Sequence, residues 1–205
     1  MVIDFATIGD DLGANLDFIK SLGYDGVELN LTPELSARLD EVEPLCRGRG
    51  LAVPSFLTGA CYNEGLCLSV ADRARREGAV ERLKSYLPIA RRFDAILVIG
   101  LLQGLTSDEP DAKAAHARIA AGLREVGLAA LDAGVELVVE PINHLQVGFH
   151  HSVGEVRDLV AEVDVPAFKL MVDTIHMNIE EISLVDPIRA CGAALKHVHL
   201  CESNG

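Results

Sequence analysis

The 205-residue chain has no stretch approaching the roughly 18 consecutive apolar residues that a membrane-spanning helix requires. It is poor in positive charge: 18 Lys and Arg stand against 31 Asp and Glu, for a net charge of −13 and a pI near 4.9. That balance speaks against a nucleic-acid surface or an anionic-membrane surface, both of which want a basic patch. Cysteine is sparse and odd in number: Cys46, Cys61, Cys67, Cys191 and Cys201 form no tight framework. Cys61 and Cys67 are not spaced like a zinc-knuckle pair, so the cysteines read as reduced thiols of a cytoplasmic protein. The N-terminus, Met1-Val2-Ile3-Asp4-Phe5, has no basic region followed by a long apolar run, which predicts no secretory signal. There is no low-complexity linker, no composition break and no repeat beyond an alternation of strand-like and helix-like segments.

What the chain does have is apolar residues, 49% of the total, in two periods. Short β-prone runs are expected at Val2 to Ile8, Val27 to Leu29, Leu51 to Leu57, Ala95 to Gly100, Glu136 to Glu140, Phe168 to Asp173 and Leu195 to His199. Between them lie segments of helical spacing. Asp10 to Leu22 places Leu12, Leu16, Ile19 and Leu22 on one face. Pro33 to Arg49 begins with a proline suited to a first turn. Val70 to Arg92 and Asp111 to Ala133 are long and amphipathic, the second ending at Gly134 as a C-cap would. Ser152 to Val163 opens with Ser152 and Glu155, a capping-box pair. Leu184 to Ala190 is a short helix. Thr58 to Ser69 is read as a long loop, and Asp173 to Glu181 as a loop ending at a solvated helix start.

Nearly continuous apolar strands alternating with helices specify an α/β fold with a parallel sheet covered by helices. An open nucleotide-binding sheet wants a glycine-rich first turn, but Gly9-Asp10-Asp11-Leu12-Gly13 is not G-x-G-x-x-G and is acidic where a phosphate would sit. A (β/α)8 TIM barrel instead sets its active-site groups at the ends of several strands. The chain fits that architecture as a single domain, residues 1–205, with about seven strands. It is C-terminally incomplete against a typical barrel of about 250 residues.

Three successive strands end in a metal-ligand type: Glu140, Asp173 and His199. Alone, each has an ordinary reading. Glu140 caps the next helix about as readily as it binds anything, and Asp173 is more often a helix cap than a ligand. The His197-Val198-His199 pattern puts both rings on one face, where one binds and the other simply packs. Glu28 fits a structural hydrogen bond as well as a site. His116 reads as surface, and His144, His150 and His151 as solvated loop residues. Together, however, one Glu, one Asp and one His on consecutive strand ends form a mixed oxygen and nitrogen set, suited to Mn²⁺, Mg²⁺ or Co²⁺.

Val139-Glu140-Pro141-Ile142-Asn143, the Asp173-Thr174-Ile175-His176-Met177-Asn178-Ile179-Glu180-Glu181 run and His197-Val198-His199-Leu200-Cys201-Glu202-Ser203-Asn204 resemble the xylose-isomerase-like barrels. Within these they are most similar to the ketose 3-epimerases, the tagatose/psicose 3-epimerase group. The resemblance implies a divalent metal, Mn²⁺ first, held by Glu140, Asp173 and His199, with a fourth ligand from a glutamate on strand eight. It implies that Glu140 is also the acid/base group, and that His176, Asn143 and Glu202 contact a sugar substrate. The implied activity is that of an isomerase moving a proton alpha to a ketose carbonyl through a cis-enediolate. The chain departs from the family at Gln146, where a second glutamate is usual, and at Gly205, where an arginine is. The strand-eight glutamate does not fall within the 205 residues.

Two other readings stand beside the epimerase: an inosose-type dehydratase of a cyclic polyol ketone, and a catalytically dead metal- or sugar-binding barrel. A repair endonuclease on the same barrel would need extra histidines and a basic face, which the charge of −13 opposes. The expected partners are a small-molecule sugar and, as in many members of the family, a second copy of the chain, with no nucleic acid and no membrane.

Overall fold

Each βα unit begins where apolar strand residues give way to a capped helix start. A computed structural model describes Val2–Ile3 and residues 11–202. The strands are β1 (Val2–Ile3), β2 (Glu28–Asn30), β3 (Ser55–Leu57), β4 (Ile96–Ile99), β5 (Leu137–Val139), β6 (Phe168–Asp173) and β7 (Leu195–His199). They pair in parallel in sequence order, as a seven-stranded sheet with β1 and β7 at its edges. The remainder of the expected first strand and the Gly9–Asp10 turn lie outside the described residues. The helices are α1 (Leu12–Ser21), α2 (Pro33–Ala37), α3 (Leu39–Gly48), α4 (Ala60–Asn63), α5 (Arg73–Phe93), α6 (Ala112–Ala133), α7 (Val153–Val163), α8 (Thr174–Glu180) and α9 (Val185–Cys191). Among the described residues no helix is long and apolar enough to cross a membrane.

The caps account for most boundaries. Asp11, Asp72 and Asp111 each accept from backbone N–H groups of the first turn of α1, α5 and α6, which satisfies donors that would otherwise be orphaned. Ser152 and Glu155 close the predicted capping box on α7. Gly134 ends α6 in a left-handed conformation at φ 67°, the region that favours glycine.

Two expectations need correction here. The single helix expected from Pro33 to Arg49 is two, broken at Arg38 (φ −113°, ψ 11°). The apolar spacing Leu35, Leu39, Val42, Cys46 runs straight through the break, so periodicity carries no sign of it. The loop expected from Thr58 to Ser69 contains the short helix α4.

Two apolar layers result. The larger fills the space between the sheet and its helices, with Leu97, Ile99, Leu137, Val139, Leu170 and Val172 pointing outward. The smaller lies inside the curl of the sheet: Ile96, Val98, Val138 and Met171, with Leu57 beside them. Two residues further along β5 and β6, the inward positions are Glu140 and Asp173, so the inner face changes from apolar to ionisable toward the carboxyl ends. The curl itself is measured by a contact across it: His197 on β7 donates from Nε2 to Glu28 Oε2 on β2 at 3.0 Å, 169 residues away.

Candidate metal centre and active site

Glu140, Asp173 and His176 are each at least nine-tenths buried, and His199 is half-buried beside them. His199 Nδ1 lies 3.1 Å from Glu140 Oε1 and 3.3 Å from Asp173 Oδ2. His176 Nε2 lies 3.9 Å from each of the same two oxygens. The three strand ends singled out in the sequence thus converge on one point, at the inner wall of a cavity of about 610 Å³ also lined by Glu28, Ser55 and His197.

Asp173 takes its cap reading while keeping one oxygen free of the helix. Its Oδ1 accepts from the Ile175 N–H at 2.9 Å and starts α8 directly at the end of β6. Its Oδ2 is left to face the histidines. Consequently His176 is not on a loop, as the sequence suggested, but on the first turn of α8. Glu180 and Glu181 likewise close that helix rather than open one. Glu180 accepts from the His144 N–H at 2.8 Å and Glu181 from the Val153 N–H at 2.8 Å, tying the α8 end to the loop after β5. His144 is therefore paired with Glu180, its ring at 2.5 Å, rather than simply solvated.

The hydrogen bonds fix the tautomer of His176. The Leu145 N–H can only donate, and it does so to Asn143 Oδ1 at 3.0 Å. The Asn143 amide is thereby oriented, and its Nδ2 donates to His176 Nδ1 at 2.7 Å. The neutral ring then carries its proton on Nε2, the nitrogen aimed at Glu140 and Asp173. In that tautomer His176 presents an N–H to Glu140 and Asp173, the two carboxylates with which it forms a group compact enough to hold a metal ion.

His199 is charged by its surroundings. Burial opposes its cationic form, but its contacts with Asp173, Glu140 and Glu28 outweigh that and push it up to about 12. Burial likewise works against the Glu28 carboxylate, yet the hydrogen bond from His197 and the neighbouring His199 hold it well below the usual range. Asp173 is held low in the same way, its burial opposed by His199, the Ile175 N–H and His176. His199 Nε2 is 2.9 Å from Glu28 Oε1 but off the line of a hydrogen bond, and it is buried without a directed partner.

The donor set fits a divalent cation. Among the described residues the ion-pair partners of Glu140 and Asp173 are histidines, and no Lys or Arg reaches either. Buried carboxylates without a permanent cation call for a metal or a protonated neighbour. Carboxylate oxygens with one imidazole suit Mn²⁺, Mg²⁺ or Co²⁺.

Of the other expected site residues, Asn143 is buried in the cluster through His176, whereas Glu202 is exposed beyond β7 and makes no hydrogen bond or ion pair among the described residues. Sequence reasoning missed Gly100. A Cβ there would lie 2.7 Å from Glu140 Oε2 and 2.7 Å from the Ile142 methyl, so any other residue would push the carboxylate from its present position. The signal was present in the sequence: a glycine directly after a wholly apolar strand. All five cysteines are free.

The comparisons agree with this architecture. The family model of the xylose isomerase-like TIM barrel matches residues 16–205, and the chain belongs to that family. It is 30% identical over 201 residues to a D-psicose 3-epimerase of Enterocloster bolteae, covering 92% of this chain and 65% of that protein. A D-psicose 3-epimerase of Ruminiclostridium cellulolyticum is 28% identical over 196 residues, at 92% and 66% coverage. The chain therefore spans about two-thirds of the length of these curated relatives. Among solved structures, D-psicose 3-epimerase with D-tagatose from Clostridium cellulolyticum H10 superposes with a TM-score of 0.83 at 26% identity, over 99% of this chain and 73% of that one. The 3-keto-D-glucoside 4-epimerase of E. coli shares the fold at a TM-score of 0.84 and 19% identity, over 99% of this chain and 79% of that one.

Proposed function

We propose that this chain is the metal-holding and proton-moving wall of a ketose 3-epimerase. The observation that carries the reading is the convergence of Glu140, Asp173 and His199 on one point of the barrel interior, with the His176 Nε2–H aimed at the same point. The curated relatives named as psicose 3-epimerases support the substrate class.

On this reading Glu140, Asp173 and His199 hold a divalent ion, Mn²⁺ before Mg²⁺ or Co²⁺. When bound, the ion supplies Lewis-acid stabilisation of negative charge developing on the sugar oxygens. The residues supply the rest. The proton next to a ketose carbonyl is a weak acid, so its base must lie within hydrogen-bond reach. Glu140, backed against Gly100 and fixed at the end of β5, is that base, and proton removal gives the enediolate. His176 donates from Nε2 to a sugar oxygen, and Asn143 keeps its tautomer and orientation. The buried apolar layer of Val98, Val138 and Met171 closes the floor of the site against water. Inversion also needs a proton carrier on the opposite face. We place it, with a fourth ligand, on an eighth strand against β7, where Val198 and Leu200 are uncovered. The free cysteines fit a reducing cytoplasm.

The test has two parts. At 100 times its dissociation constant Mn²⁺ should stabilise the chain by roughly 2.7 kcal/mol in a thermal scan, and Asp173→Asn should abolish the shift. Exchange of the C3 proton of D-fructose or D-psicose with deuterated solvent requires only one base, so the chain should show Mn²⁺-dependent exchange ahead of net inversion. A folded chain with neither a Mn²⁺ shift nor exchange overturns the reading.

A further inference from the structure

Behind Glu140, on the side away from the cavity, runs a line of side chains that nothing above uses. Gln103, completely buried in the turn after β4, donates from Nε2 to the Glu140 carbonyl oxygen at 3.1 Å. Its Oε1 lies 2.8 Å from His150 Nδ1. His150 Nε2 lies 2.9 Å from His116 Nδ1, and His116 Nε2 lies 2.9 Å from Glu162 Oε2. His116, read from the sequence as helix surface, is partly exposed but bonded on both ring nitrogens, and His150, read as a solvated loop residue, is instead bonded to Gln103 and His116.

The outer bonds of the line follow from its ends. A backbone carbonyl only accepts, so the Gln103 amide nitrogen faces Glu140 and its oxygen faces His150. That oxygen only accepts, so His150 donates from Nδ1. The exposed Glu162 carboxylate also accepts, so His116 donates from Nε2. The 2.9 Å contact between His150 Nε2 and His116 Nδ1 then holds one further proton between the two rings. His150 is suited to a single proton: burial and the adjacent His116 hold it down, to about 4. Its backbone is held at φ 54°, in the left-handed region uncommon for a residue with a Cβ. The outer end of the line opens into a cavity of about 470 Å³ lined by His116, His150, His151, Glu155, Asp158 and Glu162.

We propose that Gln103, His150 and His116 form a directed hydrogen-bond relay that positions Glu140 from behind, with Gln103 as the positioning residue and the two histidines fixing its orientation. The consequence rests on the reading of Glu140 as metal-holding base: a correctly placed Glu140 carboxylate needs its main chain pinned, and Gln103 is the side chain that pins it. Groups that orient a metal ligand from outside typically change metal affinity or activity by about 10–100-fold when removed.

The experiment uses histidine-labelled full chain without metal, read by long-range ¹H–¹⁵N NMR, followed by Mn²⁺ titration. In the wild type His150 should carry a proton on Nδ1 and His116 a proton on Nε2. In Gln103→Leu the ring signals of His199, which contacts the Glu140 carboxylate at 3.1 Å, should move, and Mn²⁺ affinity should fall about 10–100-fold. His150→Asn keeps a residue tolerant of positive φ and should give the same changes to a smaller extent, which preserves the test if Gln103→Leu fails to fold. The signature of a merely structural role is lost stability with unmoved His199 signals and Mn²⁺ affinity within twofold of wild type, and it overturns the proposal. So does the opposite His150 tautomer. A wild type indifferent to Mn²⁺ removes the metal reading, while the His150 tautomer and the His199 signals still decide the relay.

Discussion

The wall formed by β4, β5 and β6 and the edge formed by β7 contribute to the same site under opposite conditions. Every residue of β4 and β5 is buried, as are all but Lys169 in β6, because apolar side chains fill both the barrel interior and the layer under the helices. In β7 burial alternates between half-buried and exposed. His197 and His199 turn inward, while Lys196, Val198 and Leu200 face out with no helix over them among the described residues. Glu140 and Asp173 thus stand on a strand pair fixed from two sides, and His199 stands on a strand fixed from one. The difference teaches where the site is rigid. Its carboxylates are held by packing, its histidine by polar contacts: the ladder to β6, the Lys196–Glu136 pair at 2.5 Å, and the Thr174 hydroxyl, which bonds the Cys201 carbonyl and N–H at 2.8 Å each.

The largest effect that separates the two regions is expected in the wall. Leu97 on β4 is fully buried between sheet and helices. Leu97→Ala removes that packing and leaves a cavity, so urea unfolding should show a loss of about 3 kcal/mol, within the 2–5 range of such truncations. A loss under about 1 kcal/mol would mean the wall relaxes around the gap and is not the rigid half of the site.

Next in size is a pH effect at the loop behind the wall. His150 is held down to about 4, by burial first and then by His116. Its folded-state value lies below the ordinary 6.5, so the unfolded chain binds the extra proton first. Stability is therefore lost as pH falls from about 6.5 toward 4, and the loss attributable to His150 by pH 4.5 is about 2 kcal/mol. His150→Asn should flatten the profile over that window by the same amount. His116, His151, Glu155 and Glu162 surround the ring and are present in both proteins, so the difference between the two curves, not either curve alone, reports His150.

At the edge, Thr174→Val should remove the hydroxyl that clamps the end of β7 to the start of α8. The expected cost is about 1 kcal/mol of stability. The sharper readout is Mn²⁺ binding, which should weaken more than stability falls, since the clamp sits two residues beyond His199. Equal metal affinity in the variant would show that the β6 ladder alone fixes His199.

These regions also differ in how far they were legible. The wall was readable because its information is local: runs of Ile, Leu and Val, the Gly134 stop, the Ser152–Glu155 box. The strand-end carboxylates were readable for the same reason, as a charge breaking off an apolar run. What was hidden depends on distant pairs. Gly100 makes room for a carboxylate 40 positions away. His116 meets His150 across 34 positions, and Gln103 reaches the Glu140 carbonyl across 37. No period or cap encodes such contacts, since each residue alone looks like an ordinary turn or surface position. The first turn of α8 was misread for a subtler reason: one carboxylate, Asp173, caps the helix with one oxygen and faces His176 and His199 with the other, and sequence reasoning treated cap and candidate ligand as alternatives.

The smallest effect is the most discriminating, because it pairs the same chemistry with the opposite surroundings. Leu200, directly beyond β7, is 84% exposed. Leu200→Ala in the 205-residue chain should change stability by no more than about 0.5 kcal/mol, as surface substitutions away from packed features do. A large apolar side chain left in water at a sheet edge also invites pairing with another chain, so the variant should be more soluble at the same stability. If Leu200→Ala instead cost as much as Leu97→Ala, the edge would be covered in solution by another copy of the chain. Dilution should then remove the difference, because the covering surface would dissociate while the wall would not.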